Sequence, residues 1–179
     1  MDTALRRTKT ATTAPLAEPA PGEDLRAFSR SLPMALLKAR EAVMARFRPL
    51  LREHDLTEQQ WRVLRALTTV DGLRAGELAR VSCISMPSLS RILKVLEKRG
   101  LTVRTAEESD LRAVQIAISP AGRALVAGIG PHSERRYAEI TQAFGARRLD
   151  ALYAELEALT ACLAGDGEGG GDPPPDDEE

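Results

Sequence analysis

The chain predicts a mainly α fold with a small β-hairpin wing: a winged helix-turn-helix block carrying N- and C-terminal dimerisation helices. Three observations carry this prediction. Residues 74–99 read as a short helix, a tight polar joint and a longer helix, the spacing of a helix-turn-helix. Two short alternating segments follow, 101–106 and 114–118, around the polar tip EESDL, as in a hairpin. Leucine-rich segments flank this block on both sides, and an amphipathic stripe without a partner is not stable in water.

Its 179 residues suffice for one domain with a core plus an association element. The formal charge of −1 hides an asymmetry. Residues 164–179 carry seven acids and no base, so residues 23–163 hold 22 bases against 17 acids, a mildly basic body with an acidic tail. Residues 1–22 are rich in Thr, Ala and Pro without periodicity and read as a disordered arm; GDGEGGGDPPPDDEE reads as a disordered tail. Aromatic residues make up 3%, too few for a ring-lined sugar cleft. Cys83 and Cys162 lie far apart, and neither a secretory leader nor an apolar run of membrane-spanning length is visible. The expectation is a reduced, cytoplasmic protein without a membrane role.

Each element has a local cause. Over 26–52, Leu32, Leu36, Leu37, Val43, Phe47, Leu50 and Leu51 recur with helical spacing, while Pro49 should bend or shorten the last turn. Leu56, Thr57, Gln60 and Trp61 form a capping box with a hydrophobic staple, opening a helix that Asp71-Gly72 closes. On 86–99, Leu89, Ile92, Leu93 and Leu96 share one side, and Pro87, Ser88, Arg91, Lys94 and Lys98 the other, with Val95 among them. Gly100 stands at the C′ position. Ser119-Pro120 is an N-cap followed by proline at N1. Gly128, Gly130 and Pro131 predict either a kink or a break in the helix this starts, and a last amphipathic helix covers 147–163 with five leucines on one side. Residues 23–55 and 119–163 thus read as dimerisation helices and 56–118 as the winged lobe.

A helix fits the DNA major groove, about 12 Å wide, where base edges differ. The helix from Met86 starts with short side chains, so its backbone can approach closely. Ser88 and Arg91 are the candidates for base edges, the arginine as a bidentate donor to guanine. Ser85, Ser90 and Lys94 suit phosphate or groove-edge contacts, with Pro87 on the same face, and Arg104 and Arg112 flank the wing tip for the backbone. An ordinary solvated helix face fits the same pattern. Two such helices related by a two-fold axis would read half-sites of palindromic double-stranded DNA about 34 Å apart, which makes a homodimer the expected partner.

From Thr57 to Gly122 the chain resembles the MarR family of winged helix-turn-helix regulators. The resemblance rests on TEQQWRVLRAL, GELARVSCISMPSLSRILKVLEKRGL, the pair Asp110 and Arg112, and ISPAG, and extends more weakly over 26–163. Within the family, the serine-rich helix and LPMALLKAREAVMARFRPLLREHDLTEQQWRVLRAL are similar to regulators of homoprotocatechuate (4-hydroxyphenylacetate) degradation operons. The resemblance implies an obligate dimer with the chain ends in its dimer domain, and Asp110 paired with Arg112 to brace the wing. Leu111 stands where many members carry a second basic residue, which leaves Arg104 and Arg112 as phosphate contacts. It further implies repression of aromatic-compound catabolism genes, relieved by a small aromatic carboxylate or phenol. An apolar slot with a cationic anchor suits such a ligand; candidates are Arg40, Arg46 and His54, with Met34, Leu37 and Trp61 as walls. Each also fits a plain structural role: ion pairs for the arginines, a helix end for His54, core for Trp61.

No cofactor, metal site or enzymatic activity is expected. His54 and His132 are the two histidines, and no close cysteine pair, phosphate-binding glycine loop or nucleophile elbow is present. Cys83, before the reading helix, is a candidate oxidation sensor or a small packing residue. The second functional class is a winged helix that binds another protein without ligand response; its complexes would not share the steep salt dependence of DNA binding.

Overall fold

The structure, a computed structural model, describes residues 28–106 and 114–164. The expected arm 1–22, the hairpin tip with Asp110 and Arg112, and residues 165–179 of the expected tail lie outside the described residues. After a 3-10 turn at Phe28–Arg30, the elements are α1 Leu32–Glu53, α2 Glu58–Leu67, α3 Ala75–Ser82, α4 Met86–Lys98, β1 Thr102–Ala106, β2 Val114–Ile118, α5 Pro120–Phe144 and α6 Ala146–Ala164. The expected mainly helical fold with one hairpin is present, terminal helices included.

The chain divides into two compact units between Val43 and Met44. In the first, Lys38 Nζ lies 5.9 Å from the Phe28 ring centroid and Arg40 pairs with Glu41 at 2.8 Å. Its Phe28, Leu32, Leu36, Leu37 and Val43 are exposed.

The second unit holds the core. Leu51, Leu64, Leu67, Leu78, Ile84, Leu89, Leu93, Leu96, Ile116 and Ile129 are essentially inaccessible. They come from every element of this unit except β1 and α6, so one apolar cluster joins α1, the helix-turn-helix, the hairpin and the start of α5. Strands β1 and β2 pair antiparallel, Thr102 opposite Ile118 and Ala106 opposite Val114. Leu73, just before α3, adds a bridge to Ile116 with N–O distances of 3.0 and 2.8 Å. A lone leucine in a turn gives no periodicity, and the sequence reading missed it.

The caps form as the local chemistry requires. Thr57 and Gln60 close a reciprocal capping box, each side chain accepting from the other's amide. Ser119 Oγ accepts from Gly122 N at 3.0 Å and donates to Gly100 O at 2.6 Å, fastening the start of α5 to the turn that ends α4. Gly100 takes φ 68°, where glycine has no steric penalty. Gly122 is needed for a different reason: a Cβ there would lie 2.2 Å from Leu101 O.

Two proline readings change. Pro49 neither ends nor shortens α1, which continues to Glu53. The ring faces outward while Phe47, Leu50 and Leu51 are buried, so packing holds the turn despite the lost amide. Likewise α5 runs unbroken through Gly128, Gly130 and Pro131. Burial of Val126, Ile129 and Ser133 on its inner side offsets the weak local propensity, and the break is excluded.

Candidate nucleic-acid interface

Helix α4 has two unlike faces. Leu89, Ile92, Leu93 and Leu96 are buried; Pro87, Ser90, Arg91, Lys94, Val95 and Lys98 are exposed. At 100° per residue the exposed residues centre on Pro87, Arg91, Lys94 and Lys98, and Ser88 falls at the border. Ser88 is accordingly half-buried. Ser85 serves as the N-cap, its side chain accepting from Ser88 N at 3.4 Å, so its oxygen already has a task in the fold. The charged residues on this exposed face are Arg91, Lys94 and, at its C-terminal end, Lys98.

The joint before α4 is held from outside. Ser82 Oγ donates to Leu78 O, and Cys83 adopts φ 51°. From α2, Arg62 Nη1 donates to Ser82 O at 2.9 Å and Cys83 O at 3.3 Å. At the other end of α4, Arg99 donates to the carbonyls of His54 and Asp55. Sequence reasoning found neither arginine, because a guanidinium on a distant helix C-terminus leaves no local pattern.

Beside α4, Arg104 on β1 pairs with Glu97 at 2.8 Å while staying half-exposed. Part of its charge is therefore neutralised by the helix it was expected to assist. Asp110 and Arg112, expected to complete the wing, lie outside the described residues. Cys83 is exposed, and its thiol faces Arg80 O at 3.9 Å.

The six candidate ligand residues do not form one described site. Met34, Leu37 and Arg40 belong to the first unit; Met34 is half-buried, and Leu37 and Arg40 are exposed. In the second unit, Arg46 is exposed and His54 half-buried. Trp61 packs against the core with Arg65 5.9 Å from its ring centroid. The second unit also holds a separate pair of rings on α1 and α5. Phe47 of α1 lies under Tyr137 of α5, centroids 4.9 Å apart and planes at 55°, a tilted arrangement that suits ring quadrupoles. Burial raises the Tyr137 pKa above its ordinary value, the charges of Tyr153 and Glu134 raise it further, and Arg65 lowers it. Arg65 and Tyr137 thus act on each other, although neither was singled out from the sequence; a tryptophan and an arginine four apart on one helix was the available signal. A separate polar cavity of about 170 Å³ is lined by Leu50, Glu53, His132, Arg135, Arg136 and Glu139, none of them a sequence candidate. Among the described residues no group of three His, Cys, Asp or Glu could hold a metal, and no helix is long and apolar enough to cross a membrane.

The arrangement of helix-turn-helix, hairpin and flanking helices has relatives. Residues 56–114 match the profile of the MarR family. The homoprotocatechuate degradative operon repressor of Escherichia coli is 39% identical over 131 residues, 73% of this chain and 88% of that one. This chain belongs to the MarR family. As a MarR-family protein it is a DNA-binding transcriptional regulator and not an enzyme. Among solved structures, the transcriptional repressor CouR bound to a 23-mer DNA duplex superposes with a TM-score of 0.67 at 30% identity, covering 80% of this chain and 99% of that one. NadR in complex with 4-hydroxyphenylacetate gives a TM-score of 0.65 at 37% identity, covering 74% of this chain and 99% of that one. The MarR match spans the block from Leu56 to Val114, within which α4, Arg62 and Arg99 lie.

Proposed function

We propose that this MarR-family chain is a ligand-responsive repressor of aromatic-compound catabolism genes, binding palindromic DNA as a homodimer and released by a small aromatic acid or phenol. The lobe 56–118 reads DNA. The helices within 23–55 and 119–163 form the dimer. On α4, Arg91 reads a base edge, with Ser88 beside it at the rim. Lys94, Ser85, Ser90 and Pro87 lie along the groove wall, and Arg104, with Arg112 and Asp110 in the wing, serves the phosphate backbone.

The observation that carries the DNA reading is the division of α4 into a fully buried face and an exposed face with Arg91 and Lys94 at its centre. For the effector, the supporting observations are the ring pair Phe47–Tyr137, the pair Trp61–Arg65, and the charge of Arg65 acting on Tyr137. They supply flat apolar surface, a guanidinium and a phenol hydroxyl, the groups an aromatic carboxylate needs. In this reading Arg65 is the anchor and Trp61 a wall, with Arg46 and His54 as further candidates of the second unit and Met34, Leu37 and Arg40 as candidates of the first. The names of the relatives agree with this class: one represses a homoprotocatechuate degradative operon, another is seen with 4-hydroxyphenylacetate.

The test selects a duplex from a random-sequence pool with the full chain, then measures its affinity against salt and against phenylacetate-type and hydroxycinnamate-type acids. Expected are a palindromic site, a steep salt slope and release by one of the acid classes. Binding that ignores salt removes the DNA reading. Release by none of the acids removes the effector class alone.

A further inference from the structure

A left-handed backbone at a residue with a side chain costs free energy, because Cβ crowds the following carbonyl oxygen. Among the described residues two non-glycine positions adopt it, Asp55 with φ 53° and Cys83 with φ 51°. Both sit at helix C-terminal ends, and both carbonyls accept from a guanidinium that belongs to another element. At Cys83 the backbone alone makes the usual closing bonds: Ile84 N reaches Ala79 O at 3.0 Å, and Cys83 N reaches Arg80 O at 3.3 Å. The Ser82 and Cys83 carbonyls are left over from the end of α3, and Arg62 of α2 takes both. A cation at that helix end also complements the macrodipole.

Two residues after Cys83, Ser85 caps α4, so the dihedrals of Cys83 set the direction in which α4 leaves the joint. Arg62 is itself held at a cost, since its Nε is buried without a hydrogen-bond partner among the described residues, and a buried donor left unpaired is destabilising. An apolar side chain at position 62 would avoid that cost; what it could not do is fix two carbonyls twenty residues away.

We propose that Arg62 is a positioning residue for DNA binding: without touching DNA, it locks the left-handed turn at Cys83 and thereby sets the angle at which α4 meets the groove. The proposal rests on α4 being the reading helix. Its test uses the full chain and a duplex selected by the wild-type protein from a random-sequence pool. If the wild type selects no duplex, it is the reading of α4 that has failed; Arg62 is judged by the variants that follow.

Arg62→Met keeps the aliphatic stem and removes the donors. It is expected to weaken the selected duplex by about 10-fold, comparable with one good base contact, while affinity for a scrambled duplex and the salt slope stay unchanged. Glycine adopts positive φ without penalty. Adding Cys83→Gly to Arg62→Met should therefore restore most of the loss, which a purely packing role for Arg62 would not allow. Arg62→Lys, which retains a donor and the charge, should fall between. The proposal is overturned if Arg62→Met binds the selected duplex like the wild type. It is equally overturned if selected and scrambled duplexes weaken together, or if Cys83→Gly restores nothing. Should Arg62→Met melt below the assay temperature, Arg62→Gln with Cys83→Gly is read by the same ratio of selected to scrambled affinity.

Discussion

Helices α4 and α6 each carry a leucine-rich stripe, and the two stripes meet opposite fates. α4 buries Leu89, Ile92, Leu93 and Leu96. α6 aligns Leu149, Leu152, Leu156, Leu159 and Leu163, yet none of its residues is buried, and Leu163 remains 61% exposed. One fully buried leucine contributes about 1.5–3 kcal/mol, and a helix of this length is marginal in water without such burial. The stripe on α4 is satisfied by its own chain, and the opposite face is the one proposed to meet DNA. The stripe on α6 is only partly covered among the described residues: Leu149, Leu156 and Leu159 are half-buried, and Leu152 and Leu163 are exposed. In the proposed reading the difference separates two jobs: recognition on α4 and association through α6. Few local ties hold α6 meanwhile; one is Arg148, 4.3 Å from the Phe144 ring centroid.

The largest effect expected from this contrast is on folding. Leu96 is fully inaccessible, so Leu96→Ala should lower the unfolding free energy by about 3 kcal/mol, measured by urea denaturation. The same truncation at Leu152 should act through assembly, making the denaturation midpoint depend on protein concentration. Equal, concentration-independent losses at both positions would erase the distinction between the helices.

Next comes the assembly itself. Leu152→Glu with Leu163→Glu places two carboxylates on the exposed part of the stripe. Sedimentation at micromolar concentration should then show a monomer, against a dimer for the wild type. Affinity for a two-half-site duplex should fall about 100-fold through lost bivalency, with little change on a single half-site. A wild type that sediments as a monomer would leave α6 without the partner assigned to it.

How much of this was legible beforehand divides along sequence separation. The Thr57–Gln60 box, the Ser119 cap, the two faces of α4 and the hairpin strands all depend on residues within one turn or one strand of each other. Their chemistry is local and was readable. The Leu73–Ile116 bridge, the carbonyls held by Arg62 and Arg99, and the approach of Arg65 to Tyr137 each join residues far apart in the chain. Periodicity carries no information about such meetings. Pro49 and the 128–131 segment show the converse: of the two outcomes each local signal offered, shortening and a break are excluded where Phe47, Leu50, Val126 and Ile129 are buried.

Within α4 the comparison can be sharpened to single charges. Arg91→Ala should cost about 2 kcal/mol of binding to the selected duplex and relax preference at one base pair in each half-site. Lys94→Ala should weaken all duplexes alike and reduce the salt slope by about one unit per chain. If the two variants behave identically, the exposed face of α4 is only an electrostatic surface, and specificity comes from elsewhere in the lobe.

The smallest expected effect concerns Tyr137, through which α5 meets both regions: it stacks on Phe47 and feels Arg65 from the recognition lobe and Tyr153 from α6. Burial, with help from Tyr153 and Glu134, raises its pKa above the ordinary value near 10. The folded chain therefore holds this proton more tightly than the unfolded one. The resulting contribution to stability is fully present below the unfolded pKa and is lost as pH rises through the folded value. Absorbance titration of the phenolate should show one tyrosine titrating late. Arg65→Gln, by removing the charge that favours the phenolate, should delay it further, while Tyr153→Phe should advance it. At neutral pH the hydroxyl therefore keeps its proton, and the Arg65 charge acts on it. With Arg65 as the proposed anchor, Arg65→Gln should blunt release by aromatic acids while leaving affinity for the selected duplex unchanged. Unaltered release in that variant would move the effector site away from these residues without disturbing the contrast between α4 and α6.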